Sequence, residues 1–478
     1  MNSKYILAII LFSLLGCTKD FEEINTNPNV PTTVNPQFLL TNIIWNAANN
    51  NAIDAWNAGN FLGQLTARKD FNEIDRWDLR SNQELWDKTY LLLKDINTLR
   101  DIGGSENSTY AGVALVMRAF LTATLTDLWG DVPYTEALLG ESTGNFTPAY
   151  DTQEEIYVGA SGILETLQEA IAILENSRDN LPINGDILYQ GDIDHWIKLA
   201  NSLQVRYLVR ISKRVDVSSE LQAIVAEGNI LQSNADNALV PYLSTAPNQW
   251  FVHNIRVGDF GDVRMSLTIQ EVLEQLEDPR QEKWFRPTEA SQIDSSFVFQ
   301  GMPNGIGPAT RGSYNFSEVS LPGALFRDVP DGVDAIFMLY SELQFALAEA
   351  AFKGWIDGDA NAFYEAGIRS SFEYYEVEIP QTYFDRPSVM LTDEDGLEKI
   401  ITQKWLASML VGYEGWLNYR RTGFPELKVA VENLNNDQFP VRYIYPTTEQ
   451  ALNLENYETA VGRMGGDNYN VKGWWEKD

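Results

Sequence analysis

The stretch LYSELQFALAEAAFKGWIDGDANAFYEAGIRSSFEYY, residues 339–375, decides the fold class of this protein. Its first half carries apolar residues at helical spacing, and Gly354 ends that pattern. A turn containing Asp357-Gly358-Asp359 follows, and a second helical pattern begins at Ala360. The spacing therefore predicts two helices joined by a short turn.

Small side chains line the seam of this unit, because alanine occupies positions 346, 348, 350 and 351. The unit resembles a degenerate tetratricopeptide repeat, whose helices pack closely through such residues. We therefore predict a mainly α-helical protein in which tetratricopeptide-like helical pairs form a scaffold. Other segments with a helical pattern are Gln83–Arg100, Tyr110–Trp129, Gln153–Leu174, Ile193–Arg214, Glu398–Leu410 and Glu449–Val461.

Three stretches interrupt the helical pattern, around residues 228–335, 378–395 and 422–446. Glycine, proline, asparagine and serine become frequent there, and in the first stretch helical periodicity survives mainly at Ser266–Leu276. Long loops on a rigid scaffold usually carry function. These insertions therefore predict a loop-rich, irregular ligand-binding face.

The N-terminus has the features of an export signal. An apolar run from Tyr5 to Leu15 is too short to span a bilayer, and it leads into Gly16-Cys17. This junction resembles the lipobox of bacterial lipoproteins, and Cys17 is the only cysteine in the chain. We predict a signal peptide over 1–16, a lipid on Cys17, a tether over 17–35 and a single helical domain over 36–478. An ordinary signal peptide with an incidental cysteine, or a buried apolar strand, is the alternative.

The chain is strongly acidic, with 35 basic and 67 acidic residues and a net charge of −32. Nucleic acid requires clustered lysine and arginine, so we expect no nucleic-acid partner. After the leader, no apolar run approaches the roughly 20 residues of a membrane-spanning helix. The body is therefore expected to lie outside the bilayer.

Enzyme signatures are missing from the sequence. The two histidines, His195 and His253, have no metal-ligand spacing, and no common nucleophile or phosphate-binding motif occurs. The acidic run Asp393–Gly396 lacks the alternating ligands of a calcium loop. We predict no catalytic residue, no cofactor and no metal. Abundant carboxylates leave a surface glycoside hydrolase open as an alternative, and a structural or assembly lipoprotein is a second.

Several short motifs occur along the chain in a characteristic order. They are NTNPN at 25–29, DLWGDVPY at 127–134, the helix at 340–354, KW at 404–405, WLNYRRTGFP at 416–425, RYIYP at 442–446, GGD at 465–467 and WW at 474–475. Together they resemble the SusD/RagB family of nutrient-binding outer-membrane lipoproteins of Bacteroidetes, and the closing GGD and WW motifs look like the SusD-like branch of that family.

The resemblance implies a helical body with a loop-rich face, and a role in binding rather than catalysis. It implies that the protein captures oligosaccharide, or in some members peptide, at the outer membrane. It also implies a SusC-like TonB-dependent transporter as the partner that imports the captured nutrient. The family's ligand residues lie in variable loops, so the resemblance assigns none of them to this sequence.

The candidate ligand residues rest on residue chemistry alone. Sugar rings have apolar faces that stack on aromatic side chains, while their hydroxyls bind amides, carboxylates and guanidinium groups. Trp77 and Trp250 lie in polar, loop-like stretches, so we predict that they share one surface platform; a tryptophan packed onto the body is the alternative for each. The remaining candidates are the polar neighbours Asp75, Arg76, Asn248 and Arg256, and the loop residues Tyr314 and Asn315.

Other conspicuous residues are expected to be structural. Residues 127–134 are predicted to end a helix, and Arg420 and Arg421 to pair with carboxylates of this acidic chain. Core positions are predicted for four tryptophans in helical or motif segments. These are Trp86, Trp129, Trp405 and Trp416.

Overall fold

The computed structural model describes residues 35–180 and 182–477, apart from the side chains of 104–106. The predicted signal peptide, the lipidated Cys17 and the tether up to residue 34 lie outside the described residues. They therefore stay predictions. Asn35 begins the described body, and its side chain accepts a hydrogen bond from Gln37 N at 3.0 Å as the N-cap of the first helix.

Helices dominate the described chain, which confirms the mainly α-helical fold. The longer ones are α1 (Pro36–Asp54), α2 (Gln83–Glu106), α3 (Ser108–Trp129), α4 (Ile163–Asn176), α5 (Ile193–Ile211), α6 (Ser218–Glu227), α7 (Leu267–Leu276), α8 (Tyr340–Phe352), α9 (Ala360–Tyr374), α10 (Gly396–Leu406), α11 (Glu414–Thr422) and α12 (Leu454–Met464). Shorter α-helical turns are Asn60–Leu62, Gly140–Thr143, Gln153–Val158, Phe251–Asn254, Val257–Phe260, Arg280–Trp284, Glu289–Ile293 and Thr447–Leu452. A π-helical turn, Ala55–Gly59, continues α1, and 3₁₀ turns are Asn234–Asp236, Arg311–Ser313, Phe316–Glu318, Ala324–Phe326, Tyr383–Asp385 and Trp474–Glu476.

The helix pair predicted for residues 339–375 is present as α8 and α9, joined at Gly354 with φ +72°. The two helices pack closely because Gly367 of α9 lies against the Phe345 ring of α8, where a Cβ would be only 2.7 Å from a ring carbon. A similar contact joins α3 to α4, where Gly112 faces Leu174. Glycine at these two seams lets the helices approach as tetratricopeptide-like pairs do.

The single helix predicted over Gln153–Leu174 is wrong. The chain forms two helices there, Gln153–Val158 and α4, separated by Gly159 and Gly162. A Cβ at Gly159 would approach the carbonyl oxygen of Glu155 to 2.4 Å. The periodicity of the apolar residues continues across this break, which is why the sequence pattern did not reveal it.

Three two-stranded antiparallel ribbons connect distant parts of the chain. The strands are β1 (Thr66–Arg68), β2 (Val132–Pro133), β3 (Tyr150–Asp151), β4 (Ala238–Pro241), β5 (Val263–Met265) and β6 (Asp334–Met338). β1 pairs with β5, β2 with β3, and β4 with β6. The β1–β5 ribbon matters most for the site, because it joins the loop after α1 to the irregular stretch around 228–335.

The core holds buried ion pairs as well as apolar side chains. Arg206 of α5 binds Glu342 of α8 at 2.6 Å, and Arg210 of α5 binds both Glu414 and Asp127. Asp127 also accepts hydrogen bonds from the Tyr157 hydroxyl and the Trp475 indole, at 2.6 and 2.9 Å. The 127–134 motif is therefore part of the scaffold, as predicted.

The other structural predictions about charged and aromatic residues are also confirmed. Arg420 pairs with Glu476 at 2.6 Å, and Arg421 pairs with Glu349 at 2.5 Å. All four tryptophans predicted to be core are buried. These are Trp86, Trp129, Trp405 and Trp416.

One helix of the described chain, α3, is long and apolar enough to cross a membrane. Its most apolar window is 89% buried inside the protein. Burial of this kind is typical of the core helix of a globular body, and α3 packs between α2 and α4.

Candidate ligand-binding site

Trp250 is a core residue, which contradicts its predicted place on a surface platform. Its side chain is fully buried, and its indole nitrogen donates to the carbonyl oxygen of Phe326 at 3.0 Å. Its ring packs edge-on against Trp56, with centroids 6.1 Å apart, and at a tilt of 54° against Tyr242, with centroids 5.2 Å apart. The irregular stretch around Trp250 folds back onto the helices, so a polar local sequence does not imply exposure.

Trp77 is also buried, and its predicted place on a platform is wrong for the same reason. Only 2% of its side chain is accessible, and its ring meets Phe439 edge-on at 5.2 Å. Phe439 belongs to the third irregular insertion, whereas Trp250 packs against Trp56 of the π-helical turn and against aromatic residues of the first insertion. The two tryptophans therefore fill separate parts of the core.

Asp75 and Arg76 anchor their loop. Asp75 is buried and accepts hydrogen bonds from the backbone nitrogens of Arg68 and Gly305, at 3.1 and 2.9 Å, and from the Asn304 amide at 2.5 Å. Burial raises the pKa of Asp75 to about 7, although these hydrogen bonds oppose the rise. Arg76 Nε donates to the carbonyl oxygen of Glu432 at 2.9 Å. Both residues hold the loop in place, and Asp75 is not available to a ligand.

Asn248 and Arg256 flank Trp250 without forming a site around it. Asn248 is half-buried, and its backbone oxygen accepts from Leu243 N at 2.7 Å. The Arg256 side chain is exposed and pairs with Asp259 at 3.0 Å. Because Trp250 points into the core, these residues do not frame an aromatic surface.

The loop at residues 69–82, which we call the strained loop, exposes a different aromatic residue. Phe71 is 76% exposed, six residues before Trp77. Phe71, Trp77, Arg80 and Asn82 all have left-handed backbones, with φ between +44° and +69°. Such conformations cost of order 1–3 kcal/mol each and persist where the surroundings enforce them, often at binding sites.

Tyr314 and Phe316 form a second aromatic group, which is only partly exposed. Both rings are half-buried, and they stack with centroids 6.4 Å apart and an interplanar angle of 30°. They rest on a small apolar cluster that is separate from the main core. Its buried members are Ala67, Met302, Ile306 and Val319.

Polar contacts join the two segments that carry these aromatic groups. Asp70, next to Phe71, pairs at 2.5 Å with Arg311, which precedes Tyr314 by three residues. The Lys69 ammonium lies 5.5 Å from the centroid of Phe316. We call Phe71, Tyr314 and Phe316, which lie on the two segments joined by these contacts, the aromatic patch.

Two further contacts fix the surroundings of the aromatic patch. The Asn72 amide donates to the carbonyl oxygen of Ile306 at 2.5 Å, which ties the strained loop to residues 304–310. Glu432 accepts hydrogen bonds from the backbone nitrogen and the hydroxyl of Thr310, at 2.7 and 2.6 Å. These hydrogen bonds lower the pKa of Glu432. The segment at residues 304–310 is thus bonded to the strained loop on one side and to Glu432 on the other.

Asn315 is exposed beside the aromatic patch, and its side chain organises its own turn. Its oxygen accepts from the Ser317 hydroxyl at 2.9 Å, and its amide donates to Glu318 at 2.9 Å. Tyr314 and Asn315 are therefore the predicted ligand residues that lie on the patch, and their binding role stays a prediction. The sequence did not predict Phe71 and Phe316 as ligand residues, although Phe71 lies in the same polar stretch as Trp77.

The polar groups beside the patch are already paired. Its carboxylates have partners: Asp70 pairs with Arg311, and Asp262 with Lys69 at 3.5 Å. Within the described residues, no group of three or more histidine, cysteine, aspartate or glutamate side chains could hold a metal ion. Flat apolar rings bordered by amide and charged groups match the alternating faces and edges of a saccharide.

A comparison with known sequence families finds a match over nearly the whole body. The profile of the SusD-like family, described as starch-binding and associating with the outer membrane, matches residues 28–446. The chain belongs to the SusD-like family. No curated protein matches the SusD-like chain significantly.

Solved structures with the same fold support this assignment. One is an outer-membrane protein from Bacteroides vulgatus for which nutrient binding has been suggested. It is 28% identical to this chain with a TM-score of 0.82, and the aligned region covers 93% of this chain and all of the other. A SusD homologue from Bacteroides fragilis is 26% identical with the same coverage and a TM-score of 0.81. A chitin-binding protein is 25% identical, again with the same coverage, at a TM-score of 0.79.

The family assignment fixes the broad function. This SusD-like protein is a nutrient- and glycan-binding protein associated with the outer membrane, and it is not an enzyme. The hydrolase alternative is thereby removed.

Proposed function

We propose that the protein captures oligosaccharide on the aromatic patch and delivers it to a SusC-like TonB-dependent transporter. We further propose that lipidated Cys17 anchors it to the outer membrane, with the body exposed at the cell surface. Family membership supports the transporter and the anchor, and the sequence at Gly16-Cys17 supports the lipid. Peptide is the other class of nutrient that the resemblance implies.

The exposure of Phe71 carries the proposal for the patch. A phenylalanine that leaves three quarters of its side chain in water, on a left-handed backbone, gains little from packing within its own chain. The loop beneath it is nevertheless tied down by Asp75 and Asn72. A saccharide ring stacked on Phe71 would use a surface that folding alone does not need. The patch favours saccharide over peptide because its apolar rings lie beside charged and amide groups.

The test is the substitution Phe71→Ala, with Phe38→Ala as its matched control. Phe38 lies on α1 and is 69% exposed, so both substitutions remove a similar exposed ring. Truncating an aromatic anchor typically costs roughly 2 kcal/mol or more, so a glycan that binds the native protein should bind Phe71→Ala at least tenfold more weakly. Binding is measured by calorimetry and affinity electrophoresis across a glycan panel. Equal affinities of the native protein, Phe71→Ala and Phe38→Ala would contradict a site at the patch.

The anchor and the transporter are tested separately. Cys17→Ser should release the protein from the membrane fraction and remove the acyl mass, and unchanged fractionation and mass would contradict lipidation. Purification of the native protein from outer membranes in mild detergent should recover a TonB-dependent barrel. Recovery as a monomer alone would count against the delivery step.

A further inference from the structure

Arg264 differs from the other buried arginines of the described chain. Each of the others has a carboxylate oxygen within 3.0 Å of its guanidinium, whereas Arg264, only 5% exposed, has none within the 4.0 Å of an ion pair among the described residues. The paired ones are Arg206 with Glu342, Arg210 with Glu414, Arg280 with Asp278, Arg421 with Glu349 and Arg442 with Asp467.

The hydrogen bonding of Arg264 is equally incomplete. Its Nε is buried with no partner in the described part of the chain, and its one hydrogen bond joins Nη1 to the carbonyl oxygen of Val263 at 3.4 Å. Glu289 and Asp262 act on it only at longer range, and Asp262 is engaged with Lys69. A buried charge without a close partner destabilises the folded state. A chain with 67 acidic residues could readily supply one.

The strand register places Arg264 on the side of the aromatic patch. In the β1–β5 ribbon Arg264 pairs with Ala67, so their side chains lie on the same face. Ala67 belongs to the small apolar cluster on which Tyr314 and Phe316 rest. The neighbouring residues of β5, Val263 and Met265, point the other way into the main core. The Arg264 side chain therefore leaves the ribbon on the same face as Ala67, toward the cluster on which Tyr314 and Phe316 rest.

We propose that Arg264 binds an anionic group of the ligand, a carboxylate or a sulfate ester, and that the site is built for acidic saccharides. This inference rests on the proposed saccharide site at the aromatic patch. A planar guanidinium offers paired donors that match the two oxygens of a carboxylate or sulfate. The anion would supply the partner that the chain does not provide, while the aromatic rings stack on the sugar.

The test compares acidic polysaccharides with neutral counterparts. Polygalacturonate and its methyl ester differ by the carboxylate, and dextran sulfate and dextran differ by the sulfate. We expect one acidic member to bind at least tenfold more tightly than its neutral counterpart. Arg264→Gln should weaken binding of the acidic member at least tenfold and leave binding of the neutral one unchanged. Arg264→Lys keeps the charge but loses the paired donors, so its affinity for the acidic member should lie between those of the native protein and Arg264→Gln. Arg256→Gln, at an exposed arginine, controls for diffuse charge and should have no effect.

Stability gives an independent measurement. Arg264→Gln removes an unpaired buried charge, so without ligand it should melt at the native temperature or above it. The acidic polysaccharide should raise the melting temperature of the native protein and not that of Arg264→Gln. A variant that unfolds at a much lower temperature would overturn the inference, because Arg264 would then be needed by the fold itself.

The outcomes separate this inference from the proposed function. Binding that Phe71→Ala weakens but Arg264→Gln does not would overturn the anion site and leave the saccharide site standing. A preference for neutral sugars, chitin oligosaccharides included, would do the same. An equal loss with Arg256→Gln would reduce the effect to general charge and also overturn the inference. Binding that Phe71→Ala leaves intact would overturn both.

Discussion

Replacing Trp250 by alanine should destabilise the protein strongly without touching the ligand site. Removing a buried tryptophan from a core costs about 3–5 kcal/mol. The Phe326 carbonyl, which accepts from the indole, would lose its partner at a further cost of about 1–3 kcal/mol. For a body of this length the unfolding entropy corresponds to about 0.9 kcal/mol per degree, so the melting temperature should fall by roughly 4–9 °C.

Two control variants divide this loss into its parts. Trp250→Phe keeps an aromatic ring and loses the hydrogen bond, so it should cost less than half as much. Trp45 also packs against Tyr242, with ring centroids 5.7 Å apart, but it is only partly buried. Trp45→Ala should therefore cost less than Trp250→Ala, because less apolar surface is lost from the core.

Thermal unfolding followed by circular dichroism measures the loss, and glycan binding is measured well below the transition. The reasoning predicts a lowered melting temperature and unchanged affinity for Trp250→Ala. An unchanged melting temperature with weakened binding would refute it, since that result would put the indole on the ligand surface.

Three further predictions concern charged groups. Burial raises the pKa of Asp75 from 3.8 to about 7, so this group's contribution to stability is present below pH 4 and is lost as the pH rises through 7. Urea unfolding should therefore show the stability of Asp75→Asn, relative to the native protein, rising by about a few kcal/mol between pH 4 and 8. Arg421→Met should cost about 3–5 kcal/mol in the same assay because it strands the buried Glu349, and adding Glu349→Leu should recover most of that loss; no recovery would argue against the ion pair. Asp70→Asn should weaken glycan binding several-fold by releasing Arg311 beside the patch, while this half-exposed pair changes stability by less than about 1 kcal/mol.

The helical scaffold was predictable because its signals are local. The stripe that predicts α8, its stop at Gly354 and the start of α9 all lie within residues 339–375. Glycines spaced three residues apart at 159 and 162 were enough to break a predicted helix. Local patterns thus give the existence and type of long helices, while their ends depend on single residues.

The ligand surface was harder to predict because exposure in loops is not a local property. Trp77 and Phe71 share one polar stretch, yet one is buried under Phe439 and the other projects into water. The difference arises from a residue more than 350 positions away, which no pattern around residue 77 reports. The ion pair between Arg210 and Glu414 is a similar case, with 204 positions between its members. Of the predicted ligand residues, only Tyr314 and Asn315 lie on the patch or beside it.

The strained loop bears on how the ligand specificity of this protein could change during evolution. Asp75, Asn72 and Arg76 tie it to three partners: Gly305, Ile306 and Glu432. A surface that is rigid before it meets its ligand spends little entropy on capture. The tip at position 71 is free of these ties, so a different side chain there would alter what is recognised while the frame stays intact. A descendant of this protein could therefore bind a different sugar after a single substitution at position 71, with the fold unchanged.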